Sequence, residues 1–236
     1  MNITKTNTET IFPNIESKIN RFSTFVLQIT FFGIIFSFFC LFVLGPIYGI
    51  YKRGLQATIV TALICWSISL LVLIPVIQHY VIRRKNIAHK IVVDSSGLLF
   101  YNSKNEIVQQ ILYTELSPSK QNFDIYTVTP VRSGMIPLLE VTVQQEKKGE
   151  ETRRIDISLP HHVIKNKFTL YAHFMHGISV FRPDLKLDPM ALKSFSIDPI
   201  TWEVNSKGVS LGGWLLILTA LIISGIIIVI PFLLSK

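Results

Sequence analysis

Three long apolar runs constrain this chain more than any other feature: Phe22–Tyr51, Ala57–Val81 and Leu211–Leu234. None contains an Asp, Glu, Lys or Arg. A helix needs about 20 apolar residues to cross a bilayer core, and all three runs exceed that length. They are also too long for the core helices of a soluble domain. The first span is placed at residues 24–46, because Gly45-Pro46 should kink or end a helix, with Pro46–Tyr51 near the interface. The second ends at the polar pair Gln78-His79. A cleaved signal peptide does not fit the first run, which is too long, follows Glu9 and Glu16, and has no small-x-small cleavage site after it. Residues Asn14 to Phe22 read as a short amphipathic helix on the headgroups, with Asn14 as cap and Ile15, Ile19 and Phe22 on one face.

Composition agrees. Hydrophobic residues make up 49% of the 236 and charged residues 16%, against roughly 25% charged in a soluble domain. This excludes a disordered chain, a nucleic-acid-binding tail protein and a disulfide framework. The two cysteines, Cys40 and Cys65, both lie in apolar runs, so the polar region offers no thiolate zinc site. That usage is compatible with a reducing compartment.

The net charge is +8, and residues 83–210 carry 17 basic and 13 acidic side chains. Arg83, Arg84, Lys85 and Lys90 follow the second span directly. Such a cluster marks a cytoplasmic boundary and also attracts anionic headgroups. With the N-terminus inside, seven nearby cations (Lys5, Lys18, Arg21 and this cluster) face the cytoplasm, and Lys52 and Arg53 lie outside. Three spans then put the C-terminus outside. The basic residues form no long stripe, so nucleic acid is not an expected partner. Spans without ionisable groups argue against a proton relay or coupled transporter. Small residues at Gly33/Ser37, Gly45/Gly49 and Ala220/Ser224 permit close helix approach, within the chain or between copies, and leave the oligomeric state open.

Between spans two and three the pattern changes. Six β-rich runs, at 91–93, 98–101, 107–113, 123–129, 136–144 and 152–158, are separated by turn signals, with a hairpin tip at Glu146–Glu151. Leu139, Val141 and Val143 alternate with Glu140 and Thr142, the pattern of an antiparallel strand with one wet face. A helix is expected over 160–178, with Pro160 in its first turn, Gly177 at its end, and Ile164, Phe168, Tyr171, Met175 and Ile178 facing the core. The expected fold is α+β: three transmembrane helices plus a small antiparallel barrel or sandwich capped by that helix.

The Val92-Val93-Asp94-Ser95-Ser96-Gly97-Leu98 turn, the strand spacing and the helix around Phe168–Met175 resemble the pleckstrin-homology-like (PH-like) cytoplasmic domains of bacterial inner-membrane proteins. The resemblance covers residues 24–180. It implies binding of lipid headgroups, peptides or protein partners, and rarely catalysis. The third span and the connector before it lie outside it. Domain boundaries follow: 1–23 tail, 24–82 membrane hairpin, 83–180 PH-like domain, 181–210 connector, 211–234 third span.

In the connector, Asp188-Pro189 and Asp198-Pro199 predict short capped helices at 189–195 and 199–204, and Trp202 is expected near the interface. The connector reads as a structured return path or as a partner-binding face. Four histidines, His161, His162, His173 and His176, invite a metal reading. On a helix, however, His162 and His173 are about 16 Å apart, so only one pair can meet. No metal or other cofactor is expected. His162, Lys165, Thr169, His173 and His176 instead read as a solvated helix face, able to respond to pH or to lie near anionic lipid. No catalytic signature occurs.

The function expected from sequence is a non-enzymatic, multi-pass inner-membrane protein displaying a cytoplasmic PH-like domain to lipid headgroups or a protein partner. Candidate contact residues are Arg83, Arg84, Lys85, Lys90, Lys165 and His173. An immunity or inhibitor protein acting against a toxin is an alternative. A transporter or membrane enzyme is disfavoured.

Overall fold

A computed structural model describes residues 12–82, 87–130, 137–145, 149–160, 162–205, 218, 219, 222 and 225. The chain divides into two units. The first, the sheet unit, is 1–19, 88–160 and 164–206; the second, the hairpin unit, is 20–87, 161–163 and 207–236.

The hairpin unit begins at Asn20, whose Oδ1 accepts from Ser23 N at 3.2 Å and caps helix α1 (Arg21–Phe39). A π-helical turn at Cys40–Leu44 leads directly into α2 (Gly45–Arg53). Gly45-Pro46 therefore does not end the helix. Gly45 N–H bonds back to Cys40 O, and this wider turn takes up the clash that the Pro46 ring would cause in a regular helix. Trp66 Nε1 donates to Val43 O in the same turn, at 3.4 Å. Gly54 reverses the chain with φ +85, a conformation glycine adopts without a Cβ penalty. Helix α3 (Leu55–Ile82) follows and keeps Pro75 in its interior.

The continuous helix Arg21–Arg53 and the stretch Leu55–Gln78 are both long and apolar enough to cross a membrane. In their most apolar windows 0% and 11% of residues are buried. Large side chains such as Phe25, Phe36 and Leu71 are exposed. The third expected span falls almost wholly outside the described residues, so two such helices, not three, are found among them.

The sheet unit holds two antiparallel sheets. The first runs in the order β1 (Ile15–Glu16), β2 (Lys90–Val93), β3 (Gly97–Tyr101), β4 (Ile107–Leu112). Asp94 closes the β2–β3 turn by accepting from Ser96 N at 2.8 Å and Gly97 N at 3.2 Å. Asn102 closes β3–β4 by accepting from Lys104 N and Glu106 N. The second sheet centres on β7 (Leu138–Gln145). One edge of β7 is shared end to end by β5 (Leu116–Ser117) and β6 (Ile125–Val128). Its other edge pairs from Leu139 to Gln145 with β8 (Gly149–Ile155).

All six expected strands are present, and β1 and β5 are additions. Residues Ile15–Glu16 form a strand on Val92 and Val93, not part of an amphipathic helix. Among the described residues β4 and β8 exchange no backbone hydrogen bond. The sheets stay separate, and no barrel closes.

Helix α4 (Lys167–Phe181) fills the core with Leu170, Tyr171, Phe174, Met175 and Ile178, against Ile91, Leu98, Ile111, Val141 and Ile157. It starts seven residues later than Pro160 because the preceding backbone is used elsewhere. Ile164 bridges to Ile19, and Lys165 N donates to Lys18 O at 2.7 Å. Those extended pairings compete with helical hydrogen bonds. The helix also runs past Gly177. A Cβ there would lie 2.0 Å from Tyr113 Oη, so this glycine admits a tyrosine ring rather than ending a helix.

The connector belongs to the same core. Asp188 caps α5 (Pro189–Ser194), accepting from Met190 N at 2.8 Å. Ala191, Leu192, Phe195 and Ile197 are buried. The Asp198-Pro199 segment forms a capped turn closed by an Ile197–Val204 bridge, not a second helix.

Charge divides with the units. Eight of the 23 Lys and Arg residues lie in the hairpin unit, which contains none of the 15 Asp and Glu residues. In the sheet unit fifteen cations balance fifteen anions.

Candidate functional site

Of the six residues expected to make contacts, Arg83, Arg84 and Lys85 lie outside the described residues. Lys90, in β2, is already engaged. Its Nζ lies 3.4 Å from Glu16 Oε1 and 5.2 Å from the centroid of the Tyr101 ring. Lys165 precedes α4, and its side chain is exposed.

His173 is not on a solvated face: only 7% of it is accessible. The segment before β1 covers it. Phe12 stacks on the imidazole with ring centroids 4.2 Å apart, and His173 Nε2 meets Pro13 O at 2.5 Å. Phe12 also packs edge-on against Phe181 and lies 5.7 Å from His176. His176 stacks in turn on Trp202, at 5.0 Å. Trp202 thus packs on α4. Burial holds both imidazoles below their ordinary pKa, although for His173 the Pro13 carbonyl opposes the shift. The expected stripe is therefore split. Thr169 is exposed, while His162 and Lys165 precede the helix. His173 and His176 are 6.4 Å apart between ring centroids. Among the described residues no three His, Cys, Asp or Glu side chains come together as metal ligands.

Two polar arrangements were not legible in the sequence. The first is a fork at Arg182. It pairs with Asp184 through both carboxylate oxygens, at 2.9 and 2.8 Å, and donates to the carbonyls of Tyr113 and Leu116. The Arg182 bond holds the Asp184 carboxyl below the usual range. This guanidinium ties the end of α4 to the turn before β5, a geometry that only the planar fork of arginine meets.

The second arrangement crosses three strands. Tyr126, Glu140 and Arg154 stand opposite one another on β6, β7 and β8. Tyr126 Oη donates to Glu140 Oε1 at 2.5 Å, and Arg154 Nε donates to Oε2 at 2.8 Å. Burial, together with the Glu140 hydrogen bond, pushes the Tyr126 hydroxyl up to about 12. Alternation along β7 placed Glu140 on the wet face. The cross-strand partners bury it there.

Beside this row lies a groove of about 860 Å³. Ile107, Val108, Gln109 and Gln110 of β4 form one wall; Thr152, Arg153 and Arg154 of β8 form the other, with Glu115 between. Both strands are sheet edges, so the groove is flanked by backbone N–H and C=O groups that no neighbouring strand among the described residues satisfies. Edge strands are commonly blunted with Lys or Pro, but β4 reads Ile-Val-Gln-Gln-Ile-Leu and has neither. Chemically the groove offers main-chain hydrogen bonds, an apolar ledge at half-exposed Ile107 and two guanidinium groups that are already paired, Arg153 with Glu151 at 3.3 Å and Arg154 with Glu140. Among the described residues that line it, Glu115 is the one carboxylate.

No family model, curated protein or solved structure matches this chain.

Proposed function

We propose that this is a non-enzymatic integral membrane protein that holds a PH-like interaction domain at the bilayer surface, where the β4–β8 groove takes an extended segment of a protein partner. The observation that carries this reading is the groove between two unpaired strand edges. A strand added there would satisfy the free backbone groups by β-augmentation. It would also bridge the two sheets. The exposed apolar helices supply the anchor, and tethering raises the local concentration for a weak contact. In this reading residues 211–234 form the third span, the membrane is a bacterial inner membrane, the N-terminus and residues 83–210 are cytoplasmic, and the C-terminus is outside.

A protein partner is favoured over a headgroup on the sheet unit because Lys90 is paired with Glu16 and His173 is covered, which removes two of the expected lipid contacts. A photo-crosslinking residue at Gln109 or Arg153, in the full chain in native membranes, tests the reading. Adducts from both groove positions, with none from exposed Thr169, are the expected result. Equal labelling at all three, or none, would falsify the groove as the contact surface. Cleavage within residues 100–130 by protease added outside intact spheroplasts would overturn the sidedness.

A further inference from the structure

The interaction reading leaves a second cleft unused, at the tip of the hairpin unit. It measures about 440 Å³, within the ~300–1,000 Å³ range of small-molecule sites. Both arms of the hairpin build it, with Gly45 and Gly49 from α2 and Thr58, Thr61 and Cys65 from α3. The two arms meet beside the cleft, where a Cβ on Gly49 would lie at ordinary contact distance, 3.8 Å, from Thr58 Cγ2. Lys52 and Arg53, in the last turn of α2, complete the lining. Both are exposed, and among the described residues neither forms an ion pair. Lys52 Nζ rests 5.9 Å from the Tyr48 ring centroid.

The charge partition decides what this cleft suits. No Asp or Glu occurs between Glu16 and Asp94, or anywhere in the hairpin unit. Two adjacent cations in an apolar unit without a carboxylate need their counter-anion from the surroundings, and at a membrane surface that anion is a lipid phosphate. A helix C-terminus accounts for cations in the last turn. It does not account for a small-residue cleft directly beneath them.

We propose that the hairpin cleft holds one anionic glycerophospholipid, its phosphate between Lys52 and Arg53 and its glycerol end over Gly49, Thr58 and Thr61. This rests on the reading of the hairpin as membrane-embedded and is independent of the β4–β8 groove. The test uses the full chain in phosphatidylcholine nanodiscs, with bound phosphatidylglycerol measured by native mass spectrometry. Wild type should retain phosphatidylglycerol over phosphatidylcholine. Lys52→Gln with Arg53→Gln should weaken that retention about thirtyfold, from two surface cations. Thr61→Phe, which fills the cleft and keeps both charges, should also lose the lipid, with helical content unchanged by circular dichroism. Equal retention of the two lipids, or full retention in either variant, would overturn the site. A Cys65–Cys65 disulfide forming in membranes of the Cys40→Ser chain, whatever the phosphatidylglycerol content, would put a second copy there instead. Release of the wild-type chain from membranes by carbonate would overturn the membrane reading itself, and the site with it.

Discussion

In the hairpin unit, Phe25, Phe36 and Leu71 face outward, and no acidic residue is present. In the sheet unit, Ile91, Leu98, Leu139 and Phe174 are buried almost completely, and cations and anions balance. The same residue types are thus used in opposite senses within one chain. Burial of apolar area away from water drives the sheet unit. The hairpin unit instead exposes two helices long and apolar enough to cross a membrane, and in lipid close packing of small residues and backbone hydrogen bonding hold such helices. The comparison teaches that exposure of a leucine means nothing until the solvent is named.

The largest expected effect tests that contrast directly. Leu71 is 76% exposed near the middle of α3 and Ile200 is 87% exposed in the sheet unit. If both faced water, arginine would be tolerated at each within about 0.5 kcal/mol. Leu71→Arg should instead cost about 3 kcal/mol of membrane insertion, read as a loss of the inserted fraction, while Ile200→Arg leaves insertion and stability unchanged. Equal tolerance at the two positions would break the comparison.

Two changes in the sheet unit should follow in size. Gly177→Ala drives a Cβ into Tyr113, whose ring is stacked between Phe174 and Phe181. Overpacking of this kind costs about 1–3 kcal/mol, measurable by urea denaturation. Tyr113 Oη is buried with no hydrogen-bond partner among the described residues. Tyr113→Phe should therefore be neutral or mildly stabilising and should recover part of the loss in the double variant. Arg182→Ala removes the guanidinium bonds to the Tyr113 and Leu116 carbonyls, the first of which keeps the Leu116 N–H as donor, and should cost about 1 kcal/mol. Arg182→Lys should recover only part of that, because the fork is lost.

A smaller effect is expected from pH. Burial lowers the pKa of His173 and of His176 from 6.5 in the folded chain. Between the lowered folded values and 6.5 the unfolded chain binds more protons, so stability rises with pH across that window. The contribution is complete above pH 6.5 and is lost as pH falls through the folded values. Thermal midpoints taken downward from pH 7 should decline, and His173→Gln with His176→Gln should flatten the decline. The smallest effect is Lys90→Ala. Its pair with Glu16 is 37% and 57% exposed on the two sides, so the loss should not exceed about 1 kcal/mol.

Much of this fold was readable from local pattern. The six strands showed themselves through alternation and turn chemistry, and the Asp94, Asn102 and Asp188 side chains close the turns and cap the helix that their positions predicted. Errors arose where a distant segment claimed a backbone or a face. Residues Ile15–Glu16 carry an amphipathic pattern, yet β2 offers a free edge that turns them into a strand. Pro160 is a fair helix start, yet the pairing of Ile164 and Lys165 with Ile19 and Lys18 delays the helix to Lys167. His173 sits on the polar stripe of its helix, and Phe12 and Pro13 cover it from 160 residues away. Gly177 looks like a terminator, but its absent Cβ serves Tyr113.

The sequence by itself determined the partition: where apolar runs are long enough to need a lipid-like solvent, where strands alternate, and where every carboxylate lies. Those properties are local and additive, so they survive without knowledge of the neighbours. Only the tertiary structure decided that β4 and β8 remain unpaired edges beside one groove, that Glu140 is held between Tyr126 and Arg154, and that Lys52 and Arg53 line a cleft. Each of these depends on which residues meet across long chain separations, and packing and hydrogen-bond geometry settle that once the chain has folded.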